Sequence, residues 1–215
     1  MYEAVIFDMD GLMFDTEPIW ARSWAPVLEM HGLCMRPELL TAALGSGKGE
    51  LPSVVERVFG PRADAVQIVD EHYKLAYELL AGKVLAKPGL FELVAWLEAR
   101  GIARAVASSS PRHMIDHHLS QHGLADKFAC VVDGGQVTRS KPASDIFLRA
   151  ADELGVAPRD VLVLEDSANG IRAAHGGGFD CIMVPDMQEP TTELASLVIG
   201  VYHDLLEVRD VLAAI

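Results

Sequence analysis

Cysteine is scarce in this sequence. Three residues, Cys34, Cys130 and Cys181, are scattered over 215 positions. That is too few, and too dispersed, for a disulfide framework or a zinc ribbon. They read as buried or half-buried thiols of a reducing compartment. Long apolar runs are missing as well, and none approaches the roughly 18 residues that a membrane-spanning helix requires. The opening residues Met1-Tyr2-Glu3-Ala4 carry neither the basic stretch nor the apolar segment of a secretory leader. The expectation is a cytoplasmic protein with no membrane partner. Positive charge is short too: 18 Lys and Arg stand against 31 Asp and Glu, a net charge of −13. Such a chain has no basic surplus for phosphate backbones, which excludes nucleic acid as a general partner. A small phosphorylated ligand stays open, because a few local donors can hold it against the global sign. Internal repeats and low-complexity tracts are absent. Half of the residues are apolar, enough for a sizeable core in one or two domains at roughly 150 residues each. A monomer or weak homo-oligomer suits this size.

Short continuous apolar runs alternate with helical periodicity. Ala4-Val5-Ile6-Phe7, Ala103–Ala107, Cys130-Val131-Val132, Val161–Leu164 and Cys181–Val184 read as strands covered on both faces. Leu90, Leu93, Val94 and Leu97 form one helical stripe, with Gly101 closing it. Ser110-Pro111 reads as an N-cap followed by proline at the first helical position, with Gly123 at the far end. Phe147, Ala150, Ala151 and Leu154 form a third stripe before Gly155. The alternation implies an α/β fold built on a doubly wound parallel sheet. From about Glu17 to Gly82 only helical patterns occur, among them Trp20, Trp24, Val27 and Leu28, then Ile68, His72, Leu75, Ala76 and Leu79. The predicted organisation is an α/β core of residues 1–16 and 83–215 interrupted by a small all-helical domain, residues 17–82.

The chemistry-bearing residues fall where strands end. The first strand runs into Asp8-Met9-Asp10-Gly11, and Val161–Leu164 runs into Glu165-Asp166. In α/β sheets ligands bind beyond the carboxyl ends of strands. Two acidic clusters there would repel each other unless a cation lay between them, and all-oxygen donors suit Mg²⁺. Lys141, in Ser140-Lys141-Pro142, can neutralise such a cluster and hold phosphate. Ser108-Ser109-Ser110, after the strand Ala103–Ala107, offers hydroxyls and N–H groups to an anion. Together these point to phosphoryl chemistry on a carboxylate, assisted by Mg²⁺.

The run Asp8-Met9-Asp10-Gly11-Leu12-Met13-Phe14-Asp15-Thr16-Glu17 resembles the first motif of the haloacid dehalogenase superfamily. Ser108, Lys141 and Glu165-Asp166 resemble its second, third and fourth motifs in order. Gly89, Lys141-Pro142 with Asp145-Ile146-Phe147, and Asp166-Ser167 with Asn169-Gly170 resemble the subfamily of β-phosphoglucomutase and small sugar phosphatases. The resemblance implies a Rossmann-like core with a helical cap that closes over the site and selects substrate. It implies that Asp8 is the nucleophile and that Asp10 is the acid and then the base. Mg²⁺ would be held by Asp8, the Asp10 carbonyl and Asp166, with Glu165 helping directly or through water. Lys141, Ser108, Ser109 and the N–H groups of Met9 and Asp10 would hold phosphate. A halide leaving group needs no acid, so Asp10 favours phosphoryl transfer over dehalogenation.

Mutase-type relatives carry a His just after the first motif and an Arg in a cap loop. Here Trp20 lies near the first position, and Lys48 is the one cation of Gly45-Ser46-Gly47-Lys48-Gly49. Glu17-Pro18-Ile19-Trp20 resembles sugar phosphatases. The leading expectation is therefore a phosphatase of a small phosphorylated metabolite. A phosphomutase of the β-phosphoglucomutase type is the alternative, and a non-catalytic phosphoryl-sensing module the third reading. Lys48, Trp20 and Trp24 are candidate substrate contacts, although packing of the cap helices is the plainer role for both tryptophans. The glycine loop is not a nucleotide-binding P-loop: Ala42 stands where the first glycine belongs and Gly49 where Ser or Thr belongs. His113, His117, His118 and His122 have i, i+4 spacings that zinc can use, but no third ligand accompanies them, and they read as a solvated helix face. Gly176-Gly177-Gly178 reads as a loose helix end.

Overall fold

Alternation along the strands decides the layering. In β1 (Ala4–Phe7) all four side chains are buried. Ala4 and Ile6 join one apolar cluster with Phe147, Ala150 and Ile171. Val5 and Phe7, one residue out of phase, therefore face the opposite layer. The remaining strands are β2 (Ala103–Ser108), β3 (Cys130–Asp133), β4 (Val161–Glu165), β5 (Asp180–Met183) and β6 (Gly200–Val201). They form a six-stranded sheet in the order β3-β2-β1-β4-β5-β6, and every pairing is parallel. This computed structural model describes residues 2–43 and 47–214. Gly45 and Ser46 of the glycine loop lie outside the described residues.

The chain forms two compact units, Met1–Asp15 with Val84–Ile215, and Thr16–Lys83. The first holds the sheet and its covering helices: α5 (Leu90–Ala99), α6 (Arg112–Gln121), α7 (Asp145–Leu154), α8 (Ala168–Gly176), α9 (Thr192–Ala195) and α10 (Leu205–Ala213). The second holds α1 (Glu17–Met30), α2 (Pro37–Ala43), α3 (Leu51–Phe59) and α4 (Ala65–Leu80), closed around Trp24, Val27, Leu28, Val55 and Ile68. The segments flanking the insertion run side by side in the first unit. The Asp15 N–H donates to the Leu85 carbonyl and the Lys87 N–H to the Met13 carbonyl, both at 2.9 Å.

Five expectations need correction. The fifth strand begins at Asp180 rather than Cys181, and the two-residue β6 has no sequence counterpart among the expected strands. It is too short to show periodicity. Pro111, with extended φ −62° and ψ 145°, occupies the N-cap of α6 without a side-chain cap. Ser110 lies one residue before that position and donates its hydroxyl to Asp10 Oδ2 at 2.7 Å. His118 is buried rather than solvated. It belongs to the apolar face of α6 with Met114, Ile115 and Leu119, against Phe14 at 5.5 Å between ring centroids. Cys34 is exposed, whereas Cys130 is half-buried and Cys181 buried. The end of α8 is tighter than three glycines suggest: a Cβ on Gly177 would lie 2.6 Å from the Phe179 ring.

Candidate active site

The strand order reverses its direction of growth between β1 and β4, and in such sheets the crevice at that point is where ligands bind. Asp8 follows β1 there, and its N–H extends the ladder to the Leu164 carbonyl at 3.0 Å. Glu165 ends β4 and Asp166 follows it. All three carboxylates are buried, and each offers an oxygen within 4.8 Å of the others.

Lys141 reaches this cluster from the loop before α7. Its ammonium pairs with Asp8, donates to Glu165 Oε1 at 2.7 Å and to the Ala107 carbonyl at 3.3 Å, and sits 4.7 Å from the Phe147 ring centroid. One ammonium with three donors thus ties together the ends of β1, β2 and β4. Burial opposes the charge on Lys141, but Asp8 and Glu165 more than offset it and hold its pKa above the usual lysine range. Burial acts on Asp8 as well. It pushes that carboxyl up to about 8, with Lys141 pulling down and Glu165 and Asp10 pushing further up. Three buried carboxylates around one lysine also leave surplus negative charge, which adds to the effect of burial on Asp8.

Glu165 is fully engaged. Its Oε2 accepts from the Ser167 N–H at 2.7 Å and the Ser167 hydroxyl at 2.9 Å. It also fills the place a side chain would take on Gly170, where a Cβ would lie 1.6 Å from Oε1. Gly11 has φ +81°, and a Cβ there would lie 2.4 Å from Asp166 Oδ2. Glycine is thus required at position 11 by both backbone and space.

Asp10 faces a hydroxyl pair. Its Oδ2 accepts from Ser108 Oγ at 3.2 Å and from Ser110 Oγ at 2.7 Å, and Ser108 Oγ in turn accepts from the Ser110 N–H at 3.0 Å. Met9 is buried and Ser109 exposed. The structure therefore gathers Asp8, Asp10, Ser108, Lys141, Glu165 and Asp166 at the carboxyl end of the sheet. Ser110, which the sequence offers both as a helix cap and as part of the Ser108-Ser109-Ser110 hydroxyl cluster, belongs to the cluster.

Trp20 and Lys48 belong to the helical unit. Trp20 lies in a ring cluster with His72, Tyr73 and Tyr77 at centroid distances of 5.7, 4.9 and 5.4 Å. Trp24 is buried and stacks on His72 at 3.6 Å, which makes it a packing residue. Lys48 pairs with Asp70 at 2.7 Å and lies 5.1 Å from the Tyr73 ring centroid.

This topology and the sequence that folds into it have counterparts among known proteins. The haloacid dehalogenase-like hydrolase family matches residues 2–178. The chain belongs to that family. It is 31% identical over 198 residues to hexitol phosphatase B of Escherichia coli, covering 85% of this chain and 83% of that protein. It is 32% identical over 188 residues to the phosphorylated carbohydrates phosphatase of Thermotoga maritima, covering 84% and 83%. Among solved structures, CbbY from Rhodobacter sphaeroides in complex with phosphate superposes with a TM-score of 0.74 at 26% identity, over 97% of this chain and 96% of that one. No helix among the described residues is long and apolar enough to cross a membrane.

Proposed function

We propose that the protein is a Mg²⁺-dependent phosphatase of a small phosphorylated metabolite, a sugar or sugar-alcohol phosphate, working through a phosphoryl group carried on Asp8. The observation that carries this reading is the buried Asp8 carboxylate paired with Lys141 and flanked by Glu165 and Asp166. The names of the relatives agree with the substrate class.

The donor set fits Mg²⁺. The pocket offers carboxylate oxygens without sulfur or imidazole, and it carries the excess negative charge that a hard dication offsets. Asp8, Asp166 and the Asp10 carbonyl would hold the ion. Glu165 would act through water, because Lys141 and Ser167 already occupy its oxygens. When bound, the ion reduces the repulsion between the substrate phosphate and the carboxylates.

In the first half-reaction a carboxylate oxygen of Asp8 attacks phosphorus. The bond from phosphorus to the ester oxygen breaks, its electron pair stays on that oxygen, and Asp10 supplies the proton. In the second, Asp10 takes a proton from water as that water attacks phosphorus. The bond from phosphorus to Asp8 breaks, which frees phosphate and restores the carboxylate. Ser108 and Ser110 keep the Asp10 carboxylate in place. Lys141 would exchange its long contact to the Ala107 carbonyl for a phosphate oxygen, joined by Ser108, Ser109 and the N–H groups of Met9 and Asp10. The helical insertion, residues 17–82, would be the cap on a core of 1–16 and 83–215, with Trp20 and Lys48 as its substrate contacts.

The pairing of Lys48 with Asp70 favours hydrolysis over a mutase cycle. A mutase must clamp the second phosphate of a bisphosphate, and Lys48 already faces a carboxylate. The test is phosphate release from a panel of hexose, hexitol, pentose and nucleoside monophosphates, with and without Mg²⁺. The expected result is Mg²⁺-dependent release from sugar or sugar-alcohol phosphates, reduced roughly 10⁴-fold or more in Asp8→Asn. Undiminished activity in that variant contradicts the mechanism. Conversion of β-glucose 1-phosphate, in the presence of a bisphosphate primer, to the 6-phosphate without free phosphate would establish the mutase instead. A panel without any turnover would revive the sensing module.

A further inference from the structure

Asp186 lies beyond β5, outside every motif described above. Its Oδ1 accepts from Lys87 Nζ at 2.7 Å, and its side chain is 12% exposed. Its Oδ2 is shielded from solvent and has no hydrogen-bond partner among the described residues. A shielded carboxylate oxygen without a donor is costly, so its surroundings decide what it is for. Asp186 Oδ2 and Asp166 Oδ2 border the same vacant side-chain position of Gly11, at 3.3 and 2.4 Å. The sum of those distances bounds the separation of the two oxygens, a span that one water with two hydrogen bonds covers.

We infer that Asp186 is a positioning residue for the divalent cation: its Oδ2 accepts a hydrogen bond from a water of the ion's hydration shell, while Lys87 fixes its Oδ1. The inference rests on the Mg²⁺ reading above. Mg²⁺ gives up its waters reluctantly and keeps several when bound. Each is a strong donor that needs an acceptor, and partners at this remove strongly influence metal affinity. Lys87 and such a water are both donors. A carboxylate accepts from both, whereas an amide must turn its own N–H₂ toward one of them. Lys87 also donates its backbone N–H to Met13, so the pair ties the flanking segments of the insertion to the edge of the metal pocket.

Asp186→Asn is the test, read by calorimetric Mg²⁺ titration without substrate and by thermal unfolding without Mg²⁺. The expected result is Mg²⁺ binding weakened about tenfold or more, with the metal-free protein folded. Lys87→Met keeps Oδ2 and should weaken binding less. A folded Asp186→Asn protein with wild-type Mg²⁺ affinity overturns the inference, as does an equal loss in Lys87→Met, which would reduce Asp186 to an anchor for the flanking segment. Asp186→Ser carries the same test should the amide variant not fold. Absence of Mg²⁺ binding by the wild-type protein would instead sink the reading beneath it, so the two failures are distinguishable.

Discussion

Among the described residues, the unit formed by Met1–Asp15 and Val84–Ile215 buries the carboxylates of Asp8, Asp133, Glu165 and Asp166. The helical unit, Thr16–Lys83, buries Thr16, Ser23 and His72. In the first, Lys141 with Ser108, Ser110 and Ser167 supplies the donors that Asp8, Asp10 and Glu165 need, which offsets part of the cost of taking them out of water. In the second, the one buried titratable group is held neutral. His72 sits between Trp24 and the Trp20 carbonyl, to which its Nε2 lies at 3.0 Å, and burial lowers its pKa to about 4, against a weaker upward pull from that carbonyl. The contrast separates two tasks. Phosphoryl chemistry needs a strong fixed field. An aromatic helical bundle needs packing, and it keeps its charged side chains out of the core.

The largest effect that can break this contrast comes from Lys141→Met. Removing the one ammonium among three buried carboxylates should destabilise the protein by about 3–5 kcal/mol in metal-free urea unfolding near pH 8. The exposed pair of Lys48 with Asp70 should give no more than about 0.5 kcal/mol when Lys48→Met is measured alongside. Similar losses in both variants would show that the pocket is not a special electrostatic site. Next comes Gly170→Ala. The added methyl meets the Glu165 carboxylate, which Lys141 and Ser167 hold in place, so a loss of about 1–3 kcal/mol and weaker Mg²⁺ binding are expected. Unchanged stability would mean that Glu165 is free to move.

The smallest effect is that of His72, and the two units respond to pH with opposite sign. The His72 pKa in the folded protein, about 4, lies below its ordinary 6.5. The unfolded chain therefore takes up the proton first, and this contribution to stability is full above pH 6.5 and lost as pH falls toward 4. His72→Gln should remove a loss of about 1 kcal/mol that the wild type shows by pH 5.5. Asp8 works the other way. Its pKa in the folded protein, about 8, exceeds its ordinary 3.8, so the metal-free fold loses stability as pH rises between those values. Thermal unfolding across pH 5 to 8 with and without Mg²⁺ reads both, and a His72→Gln profile parallel to wild type would contradict the neutral-ring account.

Much of this was legible before the structure. The apolar runs placed β1 to β5 within a residue, because strands buried on both faces leave no polar alternation to confuse them. The acidic residues at the ends of β1 and β4 stood out because Lys141 and the serines gather at strand ends with them, where ligands bind in such sheets. What stayed hidden depended on partners distant in sequence. Ser110 reads both as a helix cap and as a member of the serine cluster, and only Asp10 opposite it decides between them. His118 looks like one of four solvated histidines, although its spacing from Met114, Ile115 and Leu119 marked the buried face. Asp186 has no local pattern at all, since Gly11, Lys87 and Asp166 meet it only through the fold.

The central claim is that Asp8 carries the phosphoryl group between substrate and water. The most direct measurement is rapid acid quenching of the Mg²⁺-loaded protein during turnover of a labelled sugar phosphate, followed by mass spectrometry of its peptides. The account predicts a phosphoryl group on Asp8 in the peptide that contains Asp8 and Asp10, formed and lost at rates consistent with turnover and absent in Asp8→Asn. Sustained turnover with that peptide unmodified at every quench time, or with the label on another residue, would contradict it.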